Sequence, residues 1–76
     1  MYPEGIFINL EGTKLLSFKK DSMNPHNEGF IESWSIREVS KQLIFKKRLS
    51  KSKALYQWDH LYKLGWKLVD PEKRAA

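Results

Sequence analysis

The sequence predicts an α+β fold, a small antiparallel sheet of three to four strands with one C-terminal amphipathic helix packed on one face. Three observations carry this. Apolar residues alternate along "GIFINLEGTKLLSF", with Ile6, Ile8 and Leu10 on one side of a Glu-Gly turn and Leu16 and Phe18 on the other, the period-two pattern of a hairpin. Ala54, Leu55, Trp58, Leu61 and Tyr62 form a stripe at i, i+3, i+4, i+7 spacing, the pattern of a helix with one buried face. The chain is 76 residues long and 41% hydrophobic, with three Trp, three Tyr and four Phe, which suits one core. A chain of this size buries roughly 60% of the surface its unfolded form exposes and has no room for a second core.

The elements follow in order. In the first hairpin Glu11 is a poor residue for a left-handed backbone, so Gly12 takes the positive φ, in a type I turn with a bulge. "DSMNPHNEG" is dense in turn formers and reads as a loop, Pro25 excluding helical geometry at Asn24. The stretch from Phe30 to Arg48 admits two readings. As strands, Phe30, Trp34 and Ile36 share a face broken by Glu32, and "QLIFKK" is a second strand rich in β-formers. As a helix, Ile36, Val39 and Leu43 fall at helical spacing behind a Ser35/Glu38 capping box. Strands are favoured, because they put Phe30, Trp34 and the "LIF" triplet to use. Ser50 or Ser52 caps the helix that follows and Gly65 ends it. "WKLV" is a short terminal strand or extended segment stopped by Asp70-Pro71. Residues 1–70 make one domain and residues 71–76 a frayed tail.

Composition narrows the function classes. With no cysteine, disulfides, thiolate chemistry and cysteine zinc sites are excluded, in keeping with a reducing interior. The longest apolar runs are triplets, far short of the roughly 20 residues of a spanning helix. The N-terminus lacks the features of a secretory signal, so a cytoplasmic protein without a membrane segment is expected. No catalytic residue stands out: His26 and His60 have no ligand or nucleophile spacing around them, and Glu28 and Glu32 have no evident cleft to separate their pKa values. The four glycines are scattered singly, without a phosphate loop. A non-enzymatic protein with no metal and no cofactor is expected.

Charge is the most informative feature. Residues 1–40 hold four Lys or Arg against six acids, and residues 41–76 hold ten against three, so all the excess positive charge lies in the second half. Between Lys41 and Trp58 there is no acid at all. Lys51 and Lys53 sit in the first helical turn, where a cation is unfavourable by tenths of a kcal/mol up to about one. Helix stability therefore does not explain their placement. Together with Lys46, Lys47, Arg48, the Ser50 and Ser52 hydroxyls and the backbone N–H groups of the helix start, they can converge on a phosphate or carboxylate. The expected partner is nucleic acid, bound through its phosphates; the alternative is an acidic patch on a partner protein. Trp34 and Tyr56 lie off the core stripes and are candidate aromatic contacts. A small basic domain also keeps itself soluble with lysine, and that reading stands beside the binding one.

The run "KKRLSKSKALYQWDHLYKLGWKLVDP", with Arg48-Leu49-Ser50, Ala54, Trp58, Leu61 and Gly65-Trp66, resembles the small cyanobacterial proteins of domain-of-unknown-function family 1651. Gly5, Phe7 and Phe18 match the early part of that pattern, so the likeness covers nearly the whole chain. Phe7 stands where the family tends to have Trp, and Lys47-Arg48 where it has an Arg pair. The resemblance implies a shared fold and a cyanobacterial or cyanophage origin, and brings no activity with it.

Overall fold

The computed structural model describes residues 2–21, 23, 28–37 and 40–69. Among them lie strands β1 (Gly5–Ile8), β2 (Lys14–Lys20), β3 (Gly29–Arg37) and β4 (Ser40–Leu49), helix α1 (Lys51–Lys63) and strand β5 (Lys67–Val69). The strands form one antiparallel sheet in the order β4-β3-β2-β1-β5. Four strands make a meander, α1 crosses one face, and the chain returns as β5 at the opposite edge. The sheet thus has five strands where three to four were expected. The fifth is the three-residue β5, within the "WKLV" read as a short terminal strand or extended segment, and its place beside β1 is set by the helix crossing and not by any local pattern.

The first hairpin turns as its sequence requires. The Gly12 N–H donates to the Asn9 carbonyl at 3.1 Å, Gly12 has φ +73°, and the Asn9 side-chain oxygen accepts from the Thr13 and Lys14 N–H groups. Residues 29–37 and 40–49 are strands, as favoured. Ser35, the cap in the less favoured helix reading, lies within β3, and Glu38 and Val39 are outside the described residues. The β3–β4 register shifts after Ser33: Ser33 pairs with Phe45 and Trp34 with Leu43, leaving Ile44 as the extra residue of a bulge.

Register decides which side chains meet the helix. Phe7 opposes Leu16, Leu16 opposes Ser33, and Phe18 opposes Ile31, all on the face that α1 covers. Ile6 and Ile8 do share a face, but it is the opposite one, and Leu10 lies in the turn, 69% exposed. Phe30, Trp34 and Ile36 share that same face, turned away from α1. The core is therefore Phe7, Leu16, Phe18 and Ile31 from the sheet with Ala54 and Leu61 from the helix. Burying each large side chain contributes roughly 1.5–3 kcal/mol. Trp58 packs edge-on to Phe7 (4.7 Å between ring centroids) and Phe18 (5.2 Å). Leu55 and Tyr62 flank this stripe and stay about half exposed.

The helix ends are local. Ser50 is the N-cap, its hydroxyl accepting from the Lys53 N–H at 3.4 Å. At the other end Gly65 takes φ +91°, the Gly65 N–H donates to the Tyr62 carbonyl and the Trp66 N–H to the Leu61 carbonyl, which closes a Schellman motif. One core member has no counterpart in the sequence reading. Tyr2, 2% exposed, donates its hydroxyl to the Leu49 carbonyl at 3.0 Å and ties the N-terminus to the β4–α1 junction. No described helix is long and apolar enough to cross a membrane. The expected tail, 71–76, lies outside the described residues.

Candidate functional site

The basic run begins within β4, and successive side chains of a strand point to opposite faces. Phe45, Lys47 and Leu49 face the helix, while Lys46 and Arg48 face away from it. The expected convergence of Lys46, Lys47, Arg48, Lys51 and Lys53 on one anion is thereby divided between two surfaces.

On the helix side, β4 and the first two turns of α1 bound an open groove of about 410 Å³. Leu16 and Ile31 form its floor, Phe45, Lys47 and Leu49 one wall, and Ser52, Lys53, Tyr56 and Gln57 the other. Four of the nine residues singled out from sequence line it: Lys47, Ser52, Lys53 and Tyr56. No carboxylate is among the lining residues, and neither lysine has an ion pair among the described residues. Tyr56 is 73% exposed, its ring stacked nearly parallel on His60 (6.2 Å, 6°). The Lys47 ammonium lies 5.8 Å from the Phe45 ring centre. Ser50 is occupied with capping, which takes up the Lys53 N–H as a donor, and Lys51 is the half-buried first helical residue outside the groove. The first turn carries no acid, so the helix's positive end opens beside this groove without a compensating carboxylate.

On the other face Lys46 and Arg48 flank Phe30, at 4.7 and 4.8 Å from its ring centre. Both are also ion-paired. Lys46 lies 3.7 Å from the Glu32 carboxylate, which holds Lys19 at 3.1 Å, and Arg48 donates to Asp21 at 2.9 Å. Burial opposes the charge on Glu32, but the Lys19 hydrogen bond and charge, the Trp34 N–H and Lys46 together outweigh it and hold the carboxyl below its ordinary pKa. Asp21 is held low first by the Arg48 hydrogen bond and then by the Met23 N–H. Trp34 is half-buried, its indole N–H donating to Glu32 at 3.4 Å. The two aromatic candidates, Trp34 and Tyr56, thus belong to different surfaces.

The sequence reading lacked the groove itself and its walls Phe45 and Leu49. Their signal is present in "FKKRL", where Phe45, Lys47 and Leu49 alternate, but it becomes legible only if the strand runs through Leu49. His60 is exposed on the helix, and His26 lies outside the described residues. Among the described residues no group of three His, Asp or Glu is placed to hold a metal ion. No known protein family, curated protein or solved structure matches the chain.

Proposed function

We propose that this protein is a non-enzymatic binding module that takes single-stranded nucleic acid along the groove between β4 and α1. Lys47 and Lys53 meet backbone phosphates, and Tyr56, with Phe45 opposite, receives a base face. The observation that supports it best is the grouping of two lysines and an exposed tyrosine over an apolar floor, with no carboxylate among the described residues that line it. A single strand offers the matching chemistry, phosphates alternating with unstacked aromatic faces. Affinity of this kind is electrostatic and tolerant of sequence, since phosphate contacts carry no base information. The reading carries with it a cytoplasmic setting, in keeping with a cysteine-free chain, and a cyanobacterial or cyanophage origin through the family it resembles. A protein-binding adaptor is the second reading, favoured by the apolar character of the opposite sheet face.

The test is fluorescence anisotropy with a labelled oligothymidylate from about 20 to 200 mM salt. Each single-strand phosphate contact adds about 0.7 to the log–log slope, so losing two lysines in Lys47→Gln/Lys53→Gln lowers the slope by about 1.4. Tyr56→Ala weakens binding by about 1–3 kcal/mol at every salt concentration. Absence of binding at the lowest salt, or a slope that the double variant leaves unchanged, ends this reading.

A further inference from the structure

The face of the sheet turned away from α1 has the composition of an interface. An antiparallel sheet with one solvated face ordinarily alternates apolar inward with polar outward. Here the outward positions include Ile6 and Ile8 on β1, Leu15 on β2, Trp34 on β3 and Leu43 on β4, which the register aligns in neighbouring rows. The only described helix lies on the other side. A recess of about 230 Å³ opens among Ile6, Leu15, Trp34, Lys19 and Lys41, with Ser17 and the buried Glu32 at its base. Around this apolar strip the same register sets five cations: Lys19, Lys41, Lys46, Arg48 and Lys67. Among the described residues of these strands and their ion pairs, Glu32 on the face and Asp21 at its corner stand against them, both already engaged, which leaves three of the five cations in excess.

We propose that this face docks an acidic partner protein, which inserts an apolar side chain into the recess beside Trp34 and Leu15 and sets carboxylates against the surrounding cations. Charge complementarity selects this occupant. A second copy related by a two-fold axis brings the same patch against itself, cation to cation. A bilayer meets the lysine rim first, while the apolar atoms beneath are recessed, Leu15 being only 8% exposed. A projecting side chain ringed by carboxylates satisfies both features, and a half-buried tryptophan at the centre of a patch is a common anchor of such contacts.

The experiment is an NMR titration with an amphipathic helical peptide carrying leucines at i, i+3 and i+7 and glutamates elsewhere, beside a version with lysine in place of glutamate. The expected result is shifts at the Trp34 indole and the Ile6, Leu15 and Leu43 methyls with the acidic peptide alone. Leu43→Glu, on an edge strand at a 45% exposed position, keeps the far-UV spectrum and weakens binding at least about tenfold, as does Trp34→Ala. Shifts confined to the groove lined by Lys47 and Tyr56, or no shifts, overturn the proposal. So does Trp34-dependent binding to phosphatidylserine vesicles in place of the peptide, or a Trp34-dependent dimer in analytical ultracentrifugation. Oligothymidylate binding is measured on the same variants; it is expected to be unchanged, which separates this face from the groove.

Discussion

Replacing Trp58 with alanine tests how the helix is seated. The ring meets Phe7 at 4.7 Å and 81° and Phe18 at 5.2 Å and 68°, both edge-on. Such pairs contribute about 0.5–1.5 kcal/mol each beyond the area they bury, so two contribute about 1–3. Full truncation of a buried Trp costs about 3–5 kcal/mol, and Trp58 is only partly buried, which puts the expected loss near the lower end, about 3 kcal/mol. A domain of 76 residues has a total stability of about 4–11 kcal/mol, so the variant loses a large share of it. At about 4–8 °C per kcal/mol the melting temperature falls by about 12–24 °C. The assay is thermal and urea unfolding followed by far-UV circular dichroism. Trp58→Phe, which keeps an edge for Phe7, is expected to recover more than half of the loss. A Trp58→Ala variant that loses less than about 1 kcal/mol refutes the packing of α1 on Phe7 and Phe18, and with it the assignment of the covered face.

Tyr2→Phe removes the hydroxyl bound to the Leu49 carbonyl and is expected to cost about 1 kcal/mol in urea titration. Because burial first, and then Glu28, raise the Tyr2 pKa, the parent's stability is intact below the ordinary value of 10.0 and is lost as pH rises through the folded value; alkaline melts of Tyr2→Phe lack that component. Glu32 gives the opposite limb. Its folded pKa lies below the ordinary 4.5, so its contribution is present above that value and is lost as pH falls through the folded one, and Glu32→Gln shows a flatter decline in melting temperature between neutral and acid pH. Lys51→Gln/Lys53→Gln removes two cations from the positive end of α1 and leaves the melting temperature equal or raised, whereas Lys46→Gln/Arg48→Gln, which takes partners from Glu32 and Asp21 and cover from Phe30, lowers it. Equal shifts in both double variants contradict the division of the basic run between two faces.

The helix and the first hairpin were legible in the chain because their determinants are local. Ser50 lies three residues from the N–H it caps, Gly65 lies within the motif it closes, and Asn9 and Gly12 build their turn from neighbours. Period-two alternation identified the two hairpin strands, the use a sheet makes of Phe30, Trp34 and the "LIF" triplet favoured strands beyond them, and the uneven charge of the two halves pointed to the β4–α1 region. What alternation leaves open is which side is covered. β1 reads Ile6-Phe7-Ile8 and β2 reads Leu15-Leu16, apolar on both faces, so the pattern ranks neither. That choice belongs to the register of Phe7 against Leu16 and Phe18 against Ile31, and to the path of α1 from one sheet edge to the other.

The same long-range pairing shaped the candidate site. Read locally, "QLIFKK" ends a strand and the basic residues beyond it gather at a helix start. Pairing of Phe30 with Arg48 and Gly29 with Leu49 carries β4 two residues further, and the strand period then sends Lys46 and Arg48 to one surface and Lys47 to the other. Arg48 finds Asp21 across 27 residues of sequence, and the Tyr2 hydroxyl finds Leu49 across 47. Residue type and spacing determined that the chain has one amphipathic helix, a sheet and a basic region between them. Which cations share a surface, and whether they face solvent or a carboxylate, was decided by contacts between segments far apart in sequence, because a side chain's direction on a strand depends on where pairing begins and ends.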